Sequence, residues 1–161
     1  MPSVIPAVAR DVFERIAAAY QSDHPAHPLT SSQIDLARIL ALSEQPVETV
    51  VSVPGTGRTV LVEVLARAVR ASGGRLIGLG LSTLSASYLV QDLNGVPAYT
   101  VVHWLRGRRQ ARSSGSNAEF VLGPRDVLFL HDAEVLTAGQ REQLLHDAAG
   151  HGALVRFTTS S

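Results

Sequence analysis

Hydrophobic positions along the chain form two kinds of pattern that alternate. Some segments repeat apolar residues at the spacing of a helix, and others are short β-branched or continuous apolar runs that suit buried strands. The predicted helices span residues 8–20, 29–42, 59–72, 82–93, 99–107 and 138–149. The predicted strands span residues 47–53, 75–81, 126–130 and 153–159. Because strands alternate with helices, we predict an α/β fold with a mostly parallel sheet and helices on both faces.

Capping signals mark the start of two of these helices. Thr30 and Gln33 have the spacing of a capping box, and so do Thr137 and Gln140. In such a box the hydroxyl of the first residue accepts a backbone N–H of the first turn, and the last side chain reaches back to the backbone of the first. These signals support the predicted helices over 29–42 and 138–149.

A polar, proline-bearing connector at residues 21–28 separates the first helix from the rest of the chain. We expect an N-terminal helix and connector over residues 1–28 and a single domain over residues 29–161. The 161 residues contain no internal repeat, and 45% of them are hydrophobic against 17% charged. This composition is typical of a folded globular domain with its own core.

Charge and composition exclude several classes of protein. The fourteen basic residues, all arginine, balance fourteen acidic ones, so nucleic-acid binding would have to come from a local patch. The absence of cysteine excludes disulfides and thiolate metal sites. No apolar run approaches the roughly 20 residues of a membrane span, and the start has no signal-peptide pattern. We therefore expect a cytoplasmic protein with no membrane partner.

The segment VVSVPGTGRTV at residues 50–60 lies between a predicted strand and a predicted helix. A phosphate-binding loop in this position needs glycines, so that backbone N–H groups can surround phosphates, a lysine, and a hydroxyl for Mg²⁺. Four residues fit this pattern: Gly55, Thr56, Gly57 and Thr59. Ser52 replaces the first glycine, and Arg58 replaces the lysine. The alternative is an ordinary connection between a strand and a helix.

The order of segments LTSSQ, VVSVPGTGRT, GLGLSTLSASYL, DVLFLHDAEVL and GALVRF resembles the first RecA-like domain of superfamily 1 helicases. The similarity spans roughly residues 29–158 and is greatest to the RecD-like helicase region of conjugative relaxases. It implies a P-loop fold that binds ATP or ADP with Mg²⁺ through residues 55–59. It also implies that Gln33 reads the adenine, beside or instead of its role in the helix cap.

The predicted strand 126–130 is followed by His-Asp-Ala-Glu at residues 131–134. In the family that the chain resembles, this strand ends in Asp-Glu-Ala, where the Asp holds the Mg²⁺ shell and the Glu orients the attacking water. Alignment on the alanine puts His131 at the metal position and Asp132 at the catalytic one. A slip of one residue would let Asp132 serve the metal together with Thr59, with Glu134 nearby as a second catalytic candidate. The alternative is a solvated helix start without chemistry.

These departures favour a domain that binds nucleotide and hydrolyses it slowly or not at all. Arg58 is larger than lysine and forked, the imidazole of His131 is a poor ligand for a hard cation, and Asp132 is shorter than glutamate. A first alternative is an active DNA-stimulated ATPase, completed by a second RecA-like domain or a protein partner. A second alternative is an interaction module that has lost nucleotide binding.

Two segments suggest contact with single-stranded DNA. The resemblance places a Ser/Thr motif near the strand, and a basic run at residues 106–117 is predicted to be an exposed loop that could meet phosphates. The candidate contacts are Ser82, Thr83, Arg106, Arg108, Arg109 and Arg112. The alternative for the basic run is a solvated loop without a partner. Trp104 is assigned to the core.

Overall fold

The computed structural model describes residues 7–26, 28–52, 58–92, 97–114 and 120–160. For residues 58, 59, 88–92 and 112–114 only the backbone is described. The helices are α1 (Arg10–Asp23), α2 (Ser31–Leu42), α3 (Arg58–Ala71), α4 (Thr83–Asp92), α5 (Val101–Ser114) and α6 (Ala138–Gly150). The strands are β1 (Val47–Val51), β2 (Arg75–Gly80), β3 (Ala98–Thr100), β4 (Asp126–Leu130) and β5 (Leu154–Thr159). A 3₁₀ turn, Ala133–Val135, follows β4.

All five strands pair in parallel in the order β1-β5-β4-β2-β3. The predicted α/β fold with helices around a parallel sheet is therefore confirmed. Strand β3 was not predicted, because two of its three residues fall in the segment 99–107 that was predicted as helix. Ala98, Tyr99 and Thr100 instead pair with β2, and the helix begins only at Val101.

Side chains of the strands alternate between two helix-covered faces. The first face packs against α1, α2 and α3 through Val50, Leu76, Val127, Phe129 and Leu154. The second face packs against α5 and α6 through Ile77, Leu79, Leu128, Leu130, Val155 and Phe157. This period of two is the expected result for strands buried on both sides. Helix α1 belongs to the same core as the rest, because Phe13, Ala17 and Tyr20 are buried in the first cluster.

Both predicted capping boxes are present; α6 begins at Ala138 as predicted, and α2 begins at Ser31, two residues later than predicted. The Thr30 hydroxyl accepts the Gln33 N–H at 3.1 Å, and the Thr30 N–H donates to the Gln33 side chain at 2.9 Å. The corresponding bonds between Thr137 and Gln140 are both 3.1 Å. These caps satisfy backbone N–H groups that would otherwise lack partners in the first turn.

A fully buried arginine on β5, which the sequence did not single out, joins the sheet to the end of α2. The Arg156 guanidinium lies on the first face and donates to the backbone carbonyls of Leu40 at 2.7 Å, Gln45 at 3.0 Å and Ser43 at 3.1 Å. Burial lowers the pKa of Arg156 to about 10, so the group is still protonated at neutral pH. A cation at this point is stabilised by the carbonyl groups at the C-terminal end of a helix.

Gly107 is required where α5 packs against the segment before β4. A Cβ atom at this position would overlap the ring of Phe120. Because overpacking a buried contact typically costs about 1–3 kcal/mol, we expect Gly107→Ala to lower the free energy of unfolding by that amount, measured by urea unfolding. Gly150→Ala is the matched control, since nothing lies within 4 Å of its Cβ position. Equal effects of the two substitutions would contradict the packing argument.

Candidate functional site

The strand order makes the carboxyl ends of β1, β5 and β4 the expected place for a ligand. Connections from β1 to β2 and β3 run along the sheet in one direction, and those from β3 to β4 and β5 run back. As a result α3 follows β1 on the first face, whereas α6 covers the second face after β4. Ligands of open parallel sheets bind outside the carboxyl ends of the strands, where the direction of winding reverses.

Three polar side chains form a row along this edge, on the first face of the sheet. Ser52 directly follows β1, Thr158 lies near the end of β5, and His131 directly follows β4. Ser52 and Thr158 are each only 1% exposed. The His131 Nδ1 atom lies 2.6 Å from the Thr158 hydroxyl oxygen, and the imidazole packs edge-on against the ring of Phe129. We call Ser52, Thr158 and His131 the polar row.

The predicted phosphate loop has the expected structural context, with a strand before it and a helix after it. The central residues of the loop lie outside the described part of the chain. Helix α3 begins at Arg58, six residues after Ser52, so a strand, a connection and a helix follow one another as a P-loop requires. Gly55, Thr56 and Gly57 are among the residues that are not described. Arg58 and Thr59 start α3, and their side chains are not described. Nucleotide binding by residues 55–59 therefore stays a prediction.

The segment after β4 leaves the strand at once. Asp132 has φ 57° and ψ 44° and is the only non-glycine residue with positive φ in the described ranges. Because Asp132 has left the extended conformation of the strand, its side chain need not point to the face opposite His131. The backbone is therefore compatible with the slip of one residue that would put Asp132 at the metal position. Glu134 is exposed and accepts hydrogen bonds from the Ser160 hydroxyl at 2.6 Å and the Ser160 N–H at 3.2 Å. Glu134 thus ties the 3₁₀ turn to the residue after β5.

The side chain at the end of β4 on the first face is not one that Mg²⁺ prefers. Mg²⁺ is usually held by one or two carboxylates together with phosphate oxygens and water. The position at the end of β4 on the first face holds the imidazole of His131, which is already bonded to Thr158. Within the described part of the chain, no group of three or more His, Asp or Glu side chains could hold a metal ion.

Gln33 has a structural role that the sequence predicted. Its Oε1 atom accepts the Thr30 N–H in the capping box. A base contact through Gln33 would therefore have to use the other end of the amide or replace the cap. The adenine role implied by the resemblance stays a prediction.

A groove of about 550 Å³ lies between α4 and the start of α5, beyond the carboxyl ends of β2 and β3. Its walls include Thr83, Ser87, Tyr99, Thr100 and His103. A second pocket of about 230 Å³ shares Thr100 and His103 and adds Arg106 and Gln110. Ser82 exchanges hydrogen bonds with Ser85 and caps α4. The arrangement brings together predicted contacts from two distant segments, namely Thr83 and Arg106.

The predicted exposed loop over residues 106–117 is wrong for most of its length, because α5 continues to Ser114. Arg106 and Arg109 are exposed on this helix, and the side chain of Arg112 is not described. Arg108 is 4% exposed and donates to both carboxylate oxygens of Asp147, at 2.8 and 3.1 Å. This burial argues against the predicted DNA contact by Arg108.

A helical signal was available for this buried arginine. Val101, Trp104, Leu105 and Arg108 share the i, i+3, i+4, i+7 spacing of one helix face. Trp104 is fully buried, as its assignment to the core predicted. The helical spacing in the sequence therefore already placed Arg108 on the buried face of α5. The spacing was overlooked because the dense run of arginines suggested an exposed loop.

The comparisons with known proteins agree with this architecture. The family model for the AAA domain matches residues 28–159, which is most of the chain. The chain therefore belongs to this AAA domain family, a helicase-like family with the P-loop NTPase fold. It is a helicase-like nucleotide-binding domain, and P-loop domains of this type generally bind nucleotide with Mg²⁺. No curated protein matches the chain.

None of the described helices is both long enough and apolar enough to cross a membrane. The longest described helices have 14 residues, fewer than the roughly 20 that a span requires. The expected cytoplasmic location stays a prediction.

The buried pair between Arg108 and Asp147 gives a test of the α5–α6 contact. We expect Asp147→Ala to lower the free energy of unfolding by about 3–5 kcal/mol, because it leaves a buried guanidinium without its carboxylate. Glu142→Ala, an exposed change on the same helix, is expected to cost less than about 0.5 kcal/mol. Urea unfolding of both variants measures the difference. A similar small effect of both changes would contradict the pairing.

Proposed function

We propose that the chain is a degenerate helicase-type domain that binds ATP or ADP and hydrolyses it weakly or not at all. The observation that carries this proposal is His131, which directly follows β4 and is hydrogen-bonded to Thr158. The position is the one at which the resemblance implies the aspartate that holds the Mg²⁺ shell needed for hydrolysis. The fold needed for nucleotide binding is kept, whereas the side chain needed for hydrolysis is replaced.

A P-loop domain can bind nucleotide without hydrolysing it, because different groups perform the two tasks. Phosphates are held mainly by backbone N–H groups of the glycine segment and by the N-terminus of the following helix. Residues 55–57 keep the sequence of that segment, and α3 begins directly after it. Hydrolysis in addition needs a metal ion and a residue that orients water, and a misplacement near 1 Å can cost on the order of 100-fold in rate. Arg58, His131 and Asp132 replace the side chains that perform those tasks.

Calorimetry with ATP tests nucleotide binding directly. We expect a dissociation constant in the micromolar range and loss of binding in Gly57→Val, because a Cβ branch would block the approach of phosphate to the backbone. Gly139→Val is the control, at a helical position with nothing within 4 Å of its Cβ position. No detectable binding by the unaltered chain would contradict the proposal and favour the nucleotide-free interaction module.

Phosphate release, with and without single-stranded DNA, separates this proposal from an active ATPase. We expect release at the background rate in both conditions, unchanged by Asp132→Ala. Robust turnover that Asp132→Ala abolishes would instead show that Asp132 is catalytic and that the slip of one residue occurs. Turnover that appears only on addition of a second RecA-like domain or partner would favour a site completed in trans.

The groove between α4 and α5 supports a role with single-stranded DNA in DNA transfer or processing, the context of the relaxases that the chain resembles. The groove and the adjoining pocket together combine hydroxyls of Thr83 and Thr100, the ring of His103 and the exposed Arg106. Hydroxyl and guanidinium groups contact phosphates, and aromatic rings stack on bases. The surface is small, so we expect weak binding that depends strongly on salt.

Arg106→Ala tests whether the groove and the adjoining pocket bind single-stranded DNA. We expect it to weaken binding of a fluorescent single-stranded oligonucleotide and to reduce the slope of log K against log salt by about 0.7, the value for one lost phosphate contact. Arg15→Ala is the matched control, since it removes the same charge from an exposed position on α1. Equal effects of the two changes would show that binding follows overall charge and not this groove.

A further inference from the structure

We propose that the nucleotide site of this domain binds phosphate without Mg²⁺. This inference rests on the proposed function and specifies its ligand as the metal-free nucleotide. It departs from the general behaviour of P-loop domains of this type, which bind nucleotide together with Mg²⁺.

The side chain at the end of β4 does not suit Mg²⁺. Register pairing places Leu130 opposite Phe157, so His131 lies beside Thr158 at the carboxyl edge. The 2.6 Å contact with the Thr158 hydroxyl and the edge-on packing against Phe129 hold the ring in this position. A neutral imidazole nitrogen suits softer metals, whereas Mg²⁺ requires oxygen ligands in nearly ideal octahedral geometry.

The neighbouring carboxylates lie beyond the end of β4. The polar row of Ser52, Thr158 and His131 contains no carboxylate. Glu134 is exposed and accepts two hydrogen bonds from Ser160. Asp132 lies on a left-handed turn after the end of the strand and not on the strand itself. Among the described residues, the side chain that ends β4 on the first face is therefore the imidazole of His131 and not a carboxylate, which a metal ion would need there.

The sequence places an arginine at the P-loop position that meets the phosphates. Arg58 begins α3, at the position where a P-loop carries lysine. A guanidinium offers five N–H donors in a planar fork that matches two phosphate oxygens at once, whereas lysine acts as a point charge. A guanidinium at this sequence position would bring positive charge to the phosphates in place of a divalent ion.

The test is calorimetric titration of ATP into the full chain, once with excess Mg²⁺ and once with EDTA. We expect the two dissociation constants to agree within about twofold. Binding that is strengthened about tenfold or more by Mg²⁺ would overturn this inference and leave the proposed function intact. Absence of binding in both conditions would overturn the proposed function and this inference with it.

His131→Asp provides the complementary test. It should strengthen binding about tenfold in Mg²⁺ relative to EDTA, because it restores a negatively charged carboxylate at the end of β4. His131→Asn is the matched control, which keeps a hydrogen-bonding side chain without a charge and should show no such difference. Equal affinities of His131→Asp in the two conditions would contradict the role given to this position.

Asp132→Ala covers the case in which the changes at His131 prevent folding. The inference predicts that this variant binds ATP as the unaltered chain does, with and without Mg²⁺. A loss of affinity confined to the Mg²⁺ titration would identify Asp132 as a metal ligand and overturn the inference. Circular dichroism of each variant confirms that the helices and strands are retained.

Discussion

A single parallel sheet has to bury both of its faces, and the positions of all the other parts depend on this constraint. Parallel strands need crossover connections, and here the connections cover the first face and then the second. The change of face brings β5 between β1 and β4 and places Ser52, Thr158 and His131 side by side. The candidate site is therefore a consequence of strand order, and its chemistry is set by the few side chains that end those strands.

Two buried arginines show how this small domain fixes its layers. Arg156 fastens the end of α2 to β5 through backbone carbonyls, and Arg108 joins α5 to Asp147 of α6. Each guanidinium is satisfied by several acceptors, as a buried cation must be. In a chain whose basic residues are all arginine, the same residue type thus serves both the interior and the exposed groove.

The sequence predicted the elements whose signals are local, and it could not predict contacts between distant residues. Capping boxes at Thr30 and Thr137 lie within four residues, so the pattern located them. Strand β3 was missed because three residues carry too little periodicity, and it is stabilised by pairing with β2. The contact of His131 with Thr158 joins residues 27 positions apart, so the sequence indicated only that an aspartate was missing. The geometry of that replacement became visible once the strand order was known.

The central claim is that a nucleotide still binds at the carboxyl edge of β1, β5 and β4. Amide chemical-shift changes in a two-dimensional NMR titration with ADP would test it most directly, because they report position as well as affinity. Our account predicts saturable changes at Ser52, His131, Thr158 and Ser160, with little change at Gly150 at the end of α6. A titration that leaves these four amides unmoved, or that moves only residues of the groove between α4 and α5, would contradict it.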